Sequence, residues 1–171
     1  MTILTERLEL RALTAPQLRR LTEELSELMT MMEGKDTAEG YKALQRLERI
    51  SDETGALYPY TGRFLNMVSD HRYAVRVRGF RLFCRQARWD KEGRVDRGLP
   101  ASLDILGDEK PTAVRQALAA LRELAPYKPQ LWPELRRAAS ALDFMQYKDS
   151  MQGLILKDIR ALLEVMDDGD K

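Results

Sequence analysis

The chain has 171 residues, of which 44% are hydrophobic and 32% charged, and its formal net charge is +1. This length fits one domain with a buried core, and the charge is too small to attract polyanions to the whole molecule. No apolar run approaches the roughly 20 residues of a membrane helix, and charges interrupt the first segment where a secretory signal would be apolar. Because Cys84 is the one cysteine, no intramolecular disulfide can form. We therefore expect a cytoplasmic protein with no membrane partner.

Helix signals dominate the chain from its first capping motif onward. Thr14 and Gln17 match a capping box, with Pro16 in the first turn, and Gly34 is a suitable stop signal. Between them, apolar residues recur at spacings of three and four, the pattern of an amphipathic helix. These residues are Leu18, Leu21, Leu25, Leu28 and Met32. No stretch alternates apolar and polar residues between turn signals, so the sequence predicts an all-α fold.

Turn clusters divide the rest of the chain into helices of ten to twenty residues. These clusters read "EGKD", "SDETG", "KEGRVDRGLP" and "APYKP". We predict four helix pairs, whose second helices span 37–51, 71–88, 109–125 and 149–166. Residues 1–166 are expected to form one repeat domain, followed by an acidic tail at 167–171.

An internal repeat supports this division. The segments "SDHRYAVRVRGF" and "GDEKPTAVRQAL" both place an aspartate before a Val-Arg pair, and the two pairs lie 39 residues apart. Two further segments match this pattern more weakly. With them, the aspartates are spaced by 34, 38 and 41 residues, which suits a repeating unit of two antiparallel helices. The four aspartates are Asp36, Asp70, Asp108 and Asp149.

The repeated residues predict a ladder of ion pairs between neighbouring units. Each aspartate is placed to accept hydrogen bonds from free N–H groups at the start of a second helix. Arg76 falls on the apolar arc of its helix, where a charge needs a partner. We predict the pairs Arg76–Asp108 and Arg115–Asp149, with Asp70 at the equivalent position of the preceding unit.

The Asp…Val-Arg pattern resembles the HEAT-like repeats of the armadillo-type superhelix, at Asp70–Arg85 and Asp108–Leu124. Over Tyr58 to Met166, the segments "ARWDKEG", "GDEKPTAVRQAL", "YKPQL" and "YKDSMQGLILKDI" are similar to a group of small uncharacterised bacterial HEAT-like proteins. Some members of that group carry an iron–sulfur assembly (SufBD) label. The resemblance implies a right-handed alpha-alpha superhelix of about four helix pairs, with the second helices lining its concave face.

A basic stripe follows the second helix of the second repeat. Its arginines recur at spacings of three, four and three, and further basic residues occur on the preceding second helix. We predict that all of them line the concave groove: Arg78, Arg81, Arg85 and Arg88, with Lys42, Arg46 and Arg49.

Two functions stay open for this groove. One is a non-catalytic scaffold that binds an unknown protein or peptide, and acidic residues interleaved with the arginines would favour it. The other is a nucleic-acid-binding module related in architecture to the HEAT-like DNA alkylation repair proteins. A surface that is positive across three helices, with an exposed aromatic such as Trp89 or Trp132, would favour that function.

The sequence shows no constellation of catalytic or metal-binding residues. His71 is the one histidine and lies beside Asp70 in a turn, and no Gly-rich phosphate loop is present. Cys84 can be either a reactive thiol near arginines or a small buried hydrophobic residue, and work in iron–sulfur assembly requires it to be exposed. We predict that the protein is not an enzyme and has no cofactor or metal.

Overall fold

A computed structural model describes residues 13–35 and 37–169 of the chain. These residues form eight α-helices joined by turns and short 3-10 segments, and no strand occurs among them. The all-helical prediction is therefore confirmed. The helices are α1 (Ala15–Glu33), α2 (Thr37–Glu53), α3 (Thr61–Met67), α4 (Tyr73–Arg85), α5 (Arg94–Ser102), α6 (Pro111–Leu124), α7 (Trp132–Ala141) and α8 (Asp149–Gly169).

Helix α1 begins and ends at the predicted residues. The Thr14 side chain accepts from the Gln17 N–H, and the Gln17 side chain accepts from the Thr14 N–H, which completes the capping box. At the other end, the N–H of Gly34 donates to the carbonyl of Met31. The buried face consists of Leu21, Leu25, Met29 and Met32.

In three helix pairs the two helices pack directly on each other, α5 reaches α6 through the segment that follows it, and one helix of each pair belongs to a row. Helices α2, α4, α6 and α8 match the four predicted second helices, and each contacts the next one in this order. Helix α1 packs on α2, α3 on α4 and α7 on α8, while the 3-10 segment Leu103–Gly107 after α5 packs on α6. One hydrophobic core extends through all the pairs. Within the described ranges, no helix combines the length and the apolar character needed to cross a membrane.

The last helix extends past its predicted end. Helix α8 continues to Gly169, so residues 167–169 are helical and not part of an acidic tail. Asp167 lies 3.5 Å from the guanidinium of Arg136 on α7, which gives this last turn a partner. Two predictions lie outside the described residues: the remainder of the tail, 170–171, and Asp36, the aspartate of the first repeat.

The repeat predicted that Asp70 and Asp108 cap α4 and α6, but the N-cap residues are Arg72 and Lys110, and each aspartate accepts from the N–H of the N-cap residue. Asp70 accepts from the backbone N–H of Arg72 at 2.8 Å, and Asp108 accepts from that of Lys110 at 2.9 Å. Each aspartate lies three positions before the first residue of its helix. The side chains therefore satisfy N–H groups that a helix start leaves without an intrahelical acceptor.

The predicted Arg76–Asp108 pair is present. Arg76 Nε lies 2.7 Å from Asp108 Oδ2 and Nη2 lies 3.1 Å from Oδ1, while Nη1 donates to the carbonyls of Asp70 and His71. The Asp108 side chain is only 4% exposed. Burial alone would raise the pKa of Asp108, but the hydrogen bonds from Arg76 and the Lys110 N–H outweigh it, so the pKa is lowered.

The Arg115–Asp149 prediction is wrong. Arg115 pairs instead with Asp158, about two and a half turns further along α8 than Asp149, with Nε 2.6 Å from Oδ2. Asp149 is the first residue of α8 and does not precede the helix as Asp70 and Asp108 precede theirs. The turn before α8 is tied down differently, because the Tyr147 hydroxyl donates to the backbone carbonyl of Asp108.

A second buried polar group joins the turns that lead into α3, α5 and α7. Asp90 has a fully buried side chain and accepts from Lys128 Nζ at 2.8 Å and from the Tyr58 hydroxyl at 2.6 Å. It also accepts from the N–H groups of Arg94 and Val95, at the start of α5. Three successive helix pairs therefore share one buried carboxylate.

The two arginines of the repeat motif should differ in importance. Arg76→Ala leaves the buried Asp108 without its cation, and we expect the free energy of unfolding to fall by about 3 kcal/mol. Arg115→Ala removes a more exposed pair and should cost about 1 kcal/mol or less. Urea unfolding followed by circular dichroism measures both, and equal losses would contradict this ranking.

The Asp70 carboxylate should make stability depend on acid pH. Hydrogen bonds from the Arg72 guanidinium are the main cause that lowers the pKa of Asp70 to about 2. A carboxyl with a lowered pKa stabilises the folded state above its unfolded pKa of about 3.9, and this contribution is lost as the pH falls towards the folded value. We expect the Tm to fall between about pH 4 and pH 2, and to fall less in Asp70→Asn. If the Tm of Asp70→Asn fell with pH as steeply as that of the wild type, this role of Asp70 would be contradicted.

Candidate functional site

A nearly buried carboxylate joins α2 to the arginine stripe of α4. Glu48 Oε1 lies 2.6 Å from Arg81 Nη2, and Glu48 Oε2 lies 3.2 Å from Arg81 Nε and 2.8 Å from Arg85 Nε. The Glu48 side chain is 8% exposed. Three charge-assisted hydrogen bonds thus hold two guanidinium groups against one carboxylate.

The network continues to both sides of this centre. Arg85 Nη1 lies 2.6 Å from Asp52 Oδ1, and Arg88 Nη2 lies 3.2 Å from the same oxygen. On the α6 side, Arg81 Nη1 donates to Gln116 Oε1 at 3.0 Å. Burial would lower the pKa of Arg85, but Glu48 and Asp52 outweigh it and raise the pKa, so Arg85 stays charged. Polar bonds therefore connect α2, α4 and α6.

Two adjoining clefts open over this network. The cleft between α4 and α6 has a volume of about 240 Å³, and the cleft on the α2 side has about 280 Å³. They share Glu48, Arg81 and Arg85, and we treat them as one central cleft. Its remaining lining residues are Gln45, Arg49 and Asp52 on α2, with Gln116, Ala119, Ala120 and Glu123 on α6. Three arginines and three carboxylates therefore line the cleft, so its charge is mixed.

Arg78 does not line this cleft. It is only 4% exposed, and its guanidinium donates to the carbonyls of Met32 at the end of α1 and Thr37 at the start of α2. The last carbonyls of a helix lack intrahelical donors, and Arg78 supplies one. Gly40 leaves room for the guanidinium, because a Cβ built on Gly40 would overlap it. Arg78 therefore connects α4 to α1 and α2 in the interior.

The basic residues predicted on α2 separate into different environments. Arg49 lines the central cleft. Arg46 donates to Glu24 on α1 at 3.2 Å and is therefore directed towards α1. Lys42 is largely exposed and lies 3.7 Å from Glu39 on its own helix. Sequence spacing placed all three on one helix but did not separate the face towards α1 from the face towards α4.

Sequence reasoning missed Glu48 and Asp52, the acidic half of the cleft. The signal was present for Glu48, since it follows Leu44 by four positions and precedes Ser51 by three, and all three are buried on one face of α2. A carboxylate on a buried arc needs a cation, by the same reasoning that gave Arg76 its partner. Asp52 carries no such signal, because exposed acidic residues are common at helix ends.

The single cysteine and histidine have no chemical setting that indicates catalysis. Cys84 is 1% exposed, and burial raises the pKa of its thiol well above the usual value. The iron–sulfur hypothesis required an exposed Cys84 and is contradicted. His71 lies in an exposed turn, 3.6 Å from Asp70. Within residues 13–35 and 37–169, no group of three or more His, Cys, Asp or Glu side chains is arranged to hold a metal ion.

Neither tryptophan is the exposed aromatic that the nucleic-acid function would favour. Trp132 is buried, and its indole N–H donates to the carbonyl of Ala125 at 2.8 Å. Trp89 is half-buried, and its indole N–H donates to the carbonyl of Ser51 at 2.6 Å. Both indoles therefore have structural partners at the ends of helices.

Comparisons of the chain with protein-family models, with curated proteins and with solved structures found no match. A function for the central cleft therefore has to be argued from its geometry and charge.

Removing the charge of Glu48 should destabilise the protein. In Glu48→Gln, Arg81 and Arg85 stay close together without a carboxylate between them, and we expect a loss of about 2 kcal/mol or more in the free energy of unfolding. Glu53→Gln is the matched control, because Glu53 is exposed on the last turn of α2, and it should change stability by less than about 0.5 kcal/mol. Equal effects in urea unfolding would contradict the role given to Glu48.

Proposed function

We propose that this protein is a non-catalytic scaffold that binds a segment of another protein in the central cleft. The observation that carries the proposal is the interleaving of acidic and basic side chains beside two alanines of α6, Ala119 and Ala120. Protein surfaces recognise one another through such mixed charges, which set orientation and exclude wrong partners. The cleft also crosses three helices, so an extended segment can contact all of them.

The proposal includes a HEAT-like arrangement of the helix pairs. In it, the four pairs stack as a right-handed superhelix, and α2, α4, α6 and α8 form the concave face. The ordered contacts of these four helices support it. Stacked helix pairs of this kind offer extended surfaces for partners. A cytoplasmic location belongs to the same proposal, and a buried, unpaired Cys84 is compatible with it.

Nucleic-acid binding is the alternative, and the charges of the cleft count against it. Phosphate binding draws its affinity from cations that lose their small counterions. Arg81 and Arg85 on α4 already donate to Glu48, while Arg85 and Arg88, in the 3-10 segment after α4, pair with Asp52. A phosphate backbone would have to compete with carboxylates that are fixed in the fold.

A filled cleft tests the proposal. Ala119→Trp places an indole in the central cleft from an exposed position on α6, and Ala101→Trp makes the same change at an exposed position on α5. We expect the wild type to select a family of sequences from a phage-displayed random peptide library. A synthetic member should bind Ala119→Trp at least about tenfold more weakly by calorimetry, and Ala101→Trp unchanged. No selection, or equal binding by Ala119→Trp, would overturn the proposal.

A further inference from the structure

The central cleft is electrically uneven, although its lining charges balance. Its α2 and α4 walls carry Arg49, Arg81 and Arg85 against Glu48 and Asp52, and Arg88 adds a further positive charge beside them. Its α6 wall carries Glu123 as its only charged lining residue among those described. Because α4 contacts both α2 and α6, Arg49 on α2 and Glu123 on α6 lie on opposite sides of the arginine stripe.

Two charges in the cleft are not neutralised by the fold. Among the residues that the structure describes, neither Arg49 nor Glu123 has an ion-pair partner within 4.0 Å, and both side chains belong to exposed residues. Most other charges that line the cleft are bonded to one another, with Glu48 at the centre. The charges of the cleft that can still pair with a ligand are therefore the cation Arg49 on α2 and the anion Glu123 on α6.

Arg85 adds donors to the cationic side. Its Nε donates to Glu48 and its Nη1 to Asp52, while Nη2 makes no hydrogen bond within the described part of the chain. A guanidinium has five N–H donors, so it can serve a ligand without releasing its internal partners. Since two carboxylates already hold the side chain in place, a ligand would lose little affinity to ordering it.

We propose that the segment bound in the central cleft carries both an acidic and a basic side chain. The acidic side chain pairs with Arg49 and with the Nη2 group of Arg85, and the basic side chain pairs with Glu123. Between them, a small or apolar side chain lies over Ala119 and Ala120. This inference rests on the proposed function, because it describes the chemistry of the segment that the scaffold takes.

The same charges of the cleft disfavour a bound segment whose own charges all have one sign. A purely acidic segment would bring a carboxylate close to Glu123, and a purely basic segment would bring a cation close to Arg49 and Arg85. Like charges brought together at an interface are costly, and such contacts suppress wrong partners. The unevenness of the cleft therefore also fixes the direction in which the segment lies.

The test uses the random peptide library with charge-reversed proteins. We expect peptides selected by the wild type to be enriched in an acidic residue and a basic residue at a constant separation. Arg49→Glu should lose the acidic preference and keep the basic one, and Glu123→Lys should do the opposite. For a synthetic peptide of the selected family, each reversal should lower the affinity about tenfold.

Two further variants control for net charge. Arg122→Glu and Glu53→Lys make the same charge changes at exposed positions on α6 and α2 that do not line the cleft. They should leave both the selected sequences and the affinity unchanged. All four substitutions are at exposed residues, so circular dichroism and the Tm should match those of the wild type.

The outcomes separate this inference from the proposed function. Peptides that are blocked by Ala119→Trp but have charges of one sign, or none, would overturn the inference alone. Equal effects of Arg49→Glu and Arg122→Glu would also overturn it, since only a general field would then be acting. If the wild type selects no peptide family, or if Ala119→Trp binds the family as well as the wild type does, the proposed function itself fails.

Discussion

The arrangement of the inner helices depends on the carboxylate of Glu48. Moving an ionised group out of water costs several kcal/mol unless a partner and hydrogen bonds compensate it. Glu48 is nearly buried, so α2 can pack beside α4 only when Arg81 and Arg85 reach that carboxylate. In turn, α4 can hold two arginines side by side only because Glu48 lies between them. The pairing therefore fixes which faces of the two helices meet, and Gln116 extends the same requirement to α6.

Polar groups in the turns fix the helix pairs along the row. Arg76 joins the turn before α4 to that before α6, and Asp90 joins the turns before α3, α5 and α7. Burial would raise the pKa of Asp90, but its hydrogen bonds from Lys128 and Tyr58 lower it, so the carboxylate stays charged inside the protein. Apolar packing between helices is not directional. These buried polar bonds supply the direction, since a shift of one pair against the next would leave charges unpaired.

Local signals made the helices and one ladder pair predictable from the sequence. The capping box at Thr14 determines where α1 begins, and the spacing of apolar residues indicates most of its buried face, although Leu18 is exposed and Met29 is buried. Arg76 was predictable because an arginine on an apolar arc needs an anion, and the repeat supplied Asp108. The same reasoning applied to Glu48 would have found the centre of the cleft.

The rest depends on geometry that spacing does not carry. Arg78 and Arg81 lie on a helix that is apolar over most of its circumference, so the sequence does not decide which arginine turns inward. The deciding residue is Gly40 on another helix, which makes room for Arg78. Arg115 misses Asp149 because the turn before α8 has a different shape, and Tyr147 closes it against the carbonyl of Asp108. Such differences appear only when all the helices are in place.

The central claim is that carboxylates of α2 hold the arginines of α4 and keep them from acting as a phosphate groove. The most direct measurement is fluorescence anisotropy with labelled duplex DNA, single-stranded DNA and RNA at low and high salt, for the wild type and Asp52→Asn. Asp52 is exposed, so its substitution should leave the fold intact while releasing Arg85 and Arg88. We expect weak binding by the wild type, and tighter binding with a steeper salt dependence for Asp52→Asn. Micromolar, salt-sensitive binding by the wild type that Asp52→Asn leaves unchanged would contradict the claim.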